Sequence, residues 1–306
     1  MDKDIFWKNF NLGIELDIAG SFIYNGLKTF DEMENLYYED TIFEFLYQIS
    51  VGIERLEKIA IILIEHDNKK DQKELEKNLK THNHLELLRR IKNTHNIGFE
   101  KKHNSFVEVL TNFYKHMRYD RYSLASVDSF DKEKNALVDY INKYSEIKIT
   151  NDFPSKITQN NKEIKFFIGN IVKKIVLCMY QIIKDESIKQ NIFTYEIRGG
   201  SKAEKIFSRK EFDFVSESIL WKELLIYILN NKEKSGVIDF IKDIDPLMFD
   251  PVLISDYLSC FKNDLEKLKF FDELESYQED VDNLQERINI LELLDIKGVF
   301  FDDIEE

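Results

Sequence analysis

Apolar residues recur at steps of four and three from Thr41 to His66, at Ile42, Leu46, Ile49, Ile53, Leu56, Ala60 and Leu63. That rhythm keeps one face of a helix apolar along its whole length and predicts a single long helix. The opposite face carries Glu44, Glu54, Glu57, Lys58 and Glu65, with Glu54 four residues before Lys58, the spacing of an intrahelical ion pair. Gly52 sits mid-helix, where it costs about 1 kcal/mol relative to alanine. A second helix crossing closely would explain a glycine there.

The same period predicts helices along most of the chain. Gly13 to Leu27 places Leu16, Ala19, Phe22, Ile23 and Leu27 on one side. His66 to Asn78 is charged and reads as a solvated loop or an exposed helical excursion. Thr81 or Asn83 caps a helix with Leu85, Leu87, Leu88 and Ile91 as its apolar set. Asn104 or Ser105 is expected to cap the next, which buries Phe106, Val107, Leu110, Phe113, Tyr114 and Met117. Asp128 or Ser129 starts another, through Tyr144. Pro154 marks the expected domain boundary. A second long helix then runs from Lys162 to Lys184, and Asn191 to Ile197 suits a short extended piece. Ser201 caps a helix through Phe207. Phe214 to Asn231 is strongly apolar and helical, and Val252 to Ile296 is helical again.

Composition narrows the class. Three prolines and ten glycines in 306 residues are few for a turn-rich all-β fold. No run of about 18 apolar residues stands out as a membrane span, and the charged N-terminus does not suit a signal peptide. Cys178 and Cys260 each lie in an apolar helical pattern and read as reduced core residues of a cytoplasmic protein.

The net charge of −14 is unevenly spread. Glu54 to Arg121 holds 15 Lys and Arg against 11 Asp and Glu, together with all six histidines. Phe271 to Glu306 holds 13 acidic residues against two basic ones. A local basic field still attracts nucleic acid, because screening acts within a Debye length of about 8 Å. The plainer alternative is ordinary fluctuation along the chain.

Four short constellations carry candidate chemistry. In Tyr114 to Tyr122, YKHMRYDRY, Arg118 and Arg121 share a helical face flanked by Tyr119 and Tyr122, while His116, two residues before Arg118, points elsewhere unless the helix ends there. They suit holding a phosphate and stacking a base, or an Arg–Asp network that ties down a helix end. His82 and His84 are two apart, too close to chelate one metal from a regular helix, and no Cys or carboxylate at ligand spacing completes a site. Arg90 precedes His95 by five residues. Such a pair suits metal-free RNA cleavage: histidine moves the 2′-hydroxyl proton and arginine stabilises the phosphorane. Arg198-Gly199-Gly200-Ser201-Lys202 is an anion cradle or simply a capped tight turn.

GIERLEK (Gly52 to Lys58), THNHLELL (Thr81 to Leu88) and FYKHMRYDRYS (Phe113 to Ser123), in that helix order, resemble the HEPN superfamily over residues 35 to 150. The resemblance implies an all-helical bundle, often dimeric, of the kind found in prokaryotic toxins and antiphage proteins. Many of these are similar to metal-free endoribonucleases with an arginine four to six residues before a histidine. Arg90 and His95 match that spacing, with Ile91 where a polar residue commonly follows the arginine.

The expectation is therefore all-α, with a HEPN-like bundle over 1–150 and a second helical region over 151–306 ending in an acidic stretch. Arg90 and His95 are the expected catalytic pair. Arg118, Arg121, His116, Tyr122 and His84 are the expected RNA or phosphate contacts. Single-stranded RNA is the expected ligand and a homodimer the expected assembly, with no cofactor, metal or membrane. The alternative is a non-catalytic helical module that binds a partner protein through its acidic C-terminal helix.

Overall fold

A computed structural model describes residues 2–68, 72–127, 131–149, 158–230, 236–261, 263–279 and 281–295. Among them the secondary structure is helical throughout, with one isolated antiparallel bridge, Asn35 to Gln159, and no strand. The chain divides into two units, Met1–Phe214 and Val215–Glu306. The expected boundary at 150/151 lies outside the described residues. The long helix that follows it packs into the first unit.

After a short helix α1 (Lys3–Phe6), the central pair is α2 (Leu12–Glu32) and α3 (Glu39–Glu65). They run antiparallel. Glu15 pairs with Arg55, Gly52 faces Ile23, Gly26 faces Ile49, and the Phe30 and Phe45 rings meet at 4.6 Å. The glycines explain the close crossing. A Cβ on Gly52 would lie 2.6 Å from Ile23 Cγ1 and 3.1 Å from the Ala19 carbonyl oxygen.

A short helix α4 (Gln72–Asn78) lies in the charged stretch. Then come α5 (His84–Lys92), α6 (Lys101–Asn112), α7 (Arg118–Asp120), α8 (Lys132–Tyr144) and α9 (Lys162–Lys189). Asn83 caps α5 by accepting from the Glu86 N–H. α6 starts earlier than expected, at Glu100 rather than Asn104. His103 Nδ1 accepts the Glu100 N–H at 3.1 Å and closes that end. The expected α8 start at Asp128 or Ser129 lies outside the described residues. The extended piece expected at Asn191 to Ile197 is turn and coil.

α9 runs parallel to α3. It begins beside Asn35 and ends where Gln190 donates to the Leu63 carbonyl at 2.7 Å. With α2, α5 and α9 all packed on α3, Ile59 to Leu63 are buried in unbroken succession. Each such aliphatic side chain contributes about 1.5–3 kcal/mol of burial. The polar face expected on α3 is thus only partly solvated, because Glu54 and Glu57 are buried. Contrary to the expectation that no stretch has the character of a membrane span, α9 is long and apolar enough to cross a membrane by length and composition. Half of that window is buried inside the fold.

The second unit contains α10 (Val215–Asn230), α11 (Gly236–Asp243), α12 (Ile254–Cys260), α13 (Asp264–Glu279) and α14 (Leu284–Glu292). Tyr257 donates to Glu273 at 2.7 Å and joins α12 to α13. The Phe249 ring packs on Tyr257 and Tyr277. α10 carries exposed apolar residues on all sides, including Leu220, Trp221, Tyr227 and Leu229.

Candidate active site

Tyr47, Glu54 and Lys58 form one stripe on α3, seven and four residues apart. The segment leading into α5 crosses this stripe. Asn83 fixes where the helix begins, so His82, one residue earlier, lies outside the helix, over Glu54. His82 Nδ1 lies 3.0 Å from Glu54 Oε2, and Lys58 Nζ lies 2.7 Å from Glu54 Oε1. A carboxylate only accepts, so Nδ1 carries the hydrogen and Nε2 keeps its lone pair in the neutral ring. The Glu54 side chain is 10% exposed, whereas that of His82 is 51% exposed. Nε2 has no partner among the described residues.

A third element completes the site. α6 passes into a π-helical turn, Phe113–Met117, before α7. The wider turn inserts a residue into the helical register and re-aims the side chains, as π-bulges do. It buries the Tyr114 ring against His82, with centroids 4.9 Å apart, and against Tyr47 at 6.1 Å in a stacked arrangement. The Arg118 guanidinium lies 3.9 Å from the Tyr114 centroid and 4.5 Å from that of Tyr119. Arg118 forms no ion pair among the described residues, and its Nε is buried without a hydrogen-bond partner. Burial, aided by the Glu54 charge, pushes the Tyr114 hydroxyl above its usual range despite Arg118.

A histidine oriented by a carboxylate with its second nitrogen free is a base in working order. An arginine stacked between tyrosines, without an acidic partner, is a cation available to a phosphate. Both side chains rest on the Tyr114 ring. Tyr119, which the Arg118 guanidinium also touches, is exposed, as a stacking platform for a base must be.

Of the residues expected from sequence, only Arg118 joins this site. Arg90 is held in a fork by Glu65, Nε to Oε1 at 3.0 Å and Nη2 to Oε2 at 2.6 Å, and donates to the Asn78 carbonyl at 3.0 Å. His95 turns the other way. Its Nε2 lies 3.0 Å from Glu186 on α9, and its Nδ1 lies 3.0 Å from the Thr94 hydroxyl. The five-residue spacing that matches the motif therefore directs the two side chains to different helices. Arg121 is shared by Glu133 and Glu39. The alternative Arg–Asp network is therefore not formed through Asp120, which pairs with Lys132; glutamates hold Arg121 instead. His84 cannot contact RNA in this fold. It is fully buried, with Nδ1 2.8 Å from Glu57 Oε2. His116 and Tyr122 are exposed, and Tyr122 is 88% so.

Sequence reasoning missed His82. It was visible only as half of a histidine pair unsuited to a metal. The fold pairs it with Glu54, 28 residues away. Among the described residues no group of three or more His, Cys, Asp or Glu side chains could hold a metal ion.

No family model, no curated protein and no solved structure matches the chain.

Proposed function

We propose that the chain is a HEPN-like, metal-independent endoribonuclease acting on single-stranded RNA. His82, Glu54 and Arg118 form its centre. The observation that carries this reading is the Glu54–His82 pair sharing the Tyr114 ring with an arginine that has no acidic partner. His82 Nε2 takes the proton of the ribose 2′-hydroxyl. The 2′-oxygen attacks the adjacent phosphorus and the bond to the 5′-oxygen breaks. The leaving oxygen takes a proton from water, and the products are a 2′,3′-cyclic phosphate and a 5′-hydroxyl. Arg118 carries the charge that builds on the phosphorane oxygens. Glu54 holds the imidazole tautomer, and Lys58 holds Glu54.

The test is incubation of the purified protein with mixed single-stranded RNA in EDTA, beside His82→Ala, Arg118→Ala and the Arg90→Ala/His95→Ala double variant. Cleavage falls by about 10²–10⁴-fold on loss of the histidine base and persists in the double variant. Loss in the double variant with full activity in His82→Ala overturns the assignment.

The exposed apolar surface of α10 favours a second reading, a module that docks on a partner protein. Under that reading His82→Ala and Arg118→Ala change no cleavage, and Trp221→Glu abolishes partner capture. Of the acidic stretch Phe271 to Glu306, the alternative contact surface, the part in α13 and α14 is described and the residues beyond Asp295 lie outside the described structure.

A further inference from the structure

A groove of about 670 Å³ runs along α9, on the side where His95 and Asn96 follow α5. Small-molecule sites span roughly 300–1,000 Å³. It shares no lining residue with the His82 centre.

Its walls are graded by charge. Asn170, Lys173 and Lys174 line one end, and neither lysine forms an ion pair among the described residues. Lys173 Nζ lies 5.9 Å from the Phe212 ring centroid, which holds its stem in place. The middle is apolar, with Leu177 and Ile182 on consecutive turns of α9. The far end is acidic. Gln181 donates to Asp185 Oδ1 at 2.8 Å, which leaves the Gln181 carbonyl and the second Asp185 oxygen as neighbouring acceptors. From Lys174 to Gln181 is seven residues of helix, roughly 10 Å. That matches the reach from the phosphate of a mononucleotide to the far edge of its base.

We propose that this groove is a separate binding site for a nucleoside monophosphate whose base carries an exocyclic amino group. Lys173 and Lys174 take the phosphate, the ring lies over Leu177 and Ile182, and the amino group donates to Gln181 and Asp185. Cys178 lines the same wall, but burial holds its thiol above its usual range, so it serves as wall rather than nucleophile.

The experiment is calorimetric titration of the full chain with AMP, CMP and UMP, with inorganic phosphate and adenosine as controls. UMP lacks the amino group. AMP and CMP are expected to bind about tenfold more tightly than UMP, the size of one charge-assisted hydrogen bond. Lys174→Glu, at an exposed position, weakens all three nucleotides with an unchanged melting temperature. Asp185→Asn removes the preference for AMP and CMP over UMP. No binding of any of the three, or equal binding unaffected by Lys174→Glu, overturns the proposal. His82→Ala retains the binding, so failure here is distinct from failure of the nuclease reading.

Discussion

His84 and Glu57 form a closed pair inside the bundle, Nδ1 2.8 Å from Oε2, with neither side chain more than 1% exposed. One turn of α3 away, Glu54 makes a similar contact with His82, and there the imidazole reaches solvent. The two pairs are chemically alike and differ in access to water. The first ties the start of α5 to α3, and that anchor sets His82 over Glu54. Burial pushes the Glu57 carboxyl up, opposed by His84. His84 Nε2 has no partner.

Removing one member of this pair leaves the other buried and uncompensated. His84→Ala and Glu57→Gln are each expected to cost about 3–5 kcal/mol in urea unfolding. The double replacement His84→Leu/Glu57→Leu should recover much of that loss. Single variants within about 1 kcal/mol of wild type would show that the pair does not anchor α5.

The site variants separate positioning from chemistry. Glu54 touches no substrate atom in the proposed mechanism but holds the imidazole tautomer. Glu54→Gln is expected to lower kcat by about 10²-fold or more with KM little changed, because an interaction made in the transition state is lost. A rise in KM alone would reassign Glu54 to binding. Arg118→Lys keeps the charge but loses the planar stack on Tyr114 and should not rescue.

Stability should fall as the medium becomes acidic. Burial holds His103 and His66 below the ordinary histidine value, and for His66 the Lys8 charge adds to the effect. A lowered histidine stays neutral in the fold while the unfolded chain takes up the proton first. The stability is therefore complete above the ordinary value of 6.5 and is lost as pH falls below it. At His103 the proton would also remove the acceptor that caps α6 at the Glu100 N–H. Glu57, pushed up, works in the opposite sense, its contribution fading as pH rises. The measurement is therefore a difference: the loss of unfolding free energy between about pH 7.5 and pH 5 should be smaller in His103→Gln than in wild type.

Glycines on α2 should respond in opposite directions. A Cβ on Gly20 would lie 2.5 Å from Ala203 Cβ and 2.6 Å from Ala203 Cα, and backbone cannot swing aside. Gly20→Ala is expected to destabilise by about 1–3 kcal/mol. Gly13 has nothing within 4 Å of that position, so Gly13→Ala should stabilise by up to about 1 kcal/mol. Thermal melts of the two variants check both signs.

The all-helical class and both ends of α3 were legible because they depend on local period and capping, whereas α2 and α9 each run five residues beyond the expected ends at Leu27 and Lys184. Thr41 to His66 and Glu39–Glu65 describe nearly the same rod, and Asn83 caps α5 as its residue type suggests. Gly52 announced a close crossing, though not that Ile23 and Ala19 would make it. The candidate centre was not legible. Its parts come from positions 54, 82, 114 and 118, and spacing along the chain cannot register contacts between segments that far apart. The chain pattern instead favoured Arg90 and His95, which are neighbours in sequence. The end of α5 at Lys92 lets one face α3 and the other α9, each with its own glutamate. Local sequence determined which segments are helices, because a helix satisfies its hydrogen bonds within itself. Packing alone decided which charged side chains are paired, which are buried and which remain free to act, because those outcomes depend on neighbours brought from elsewhere in the chain.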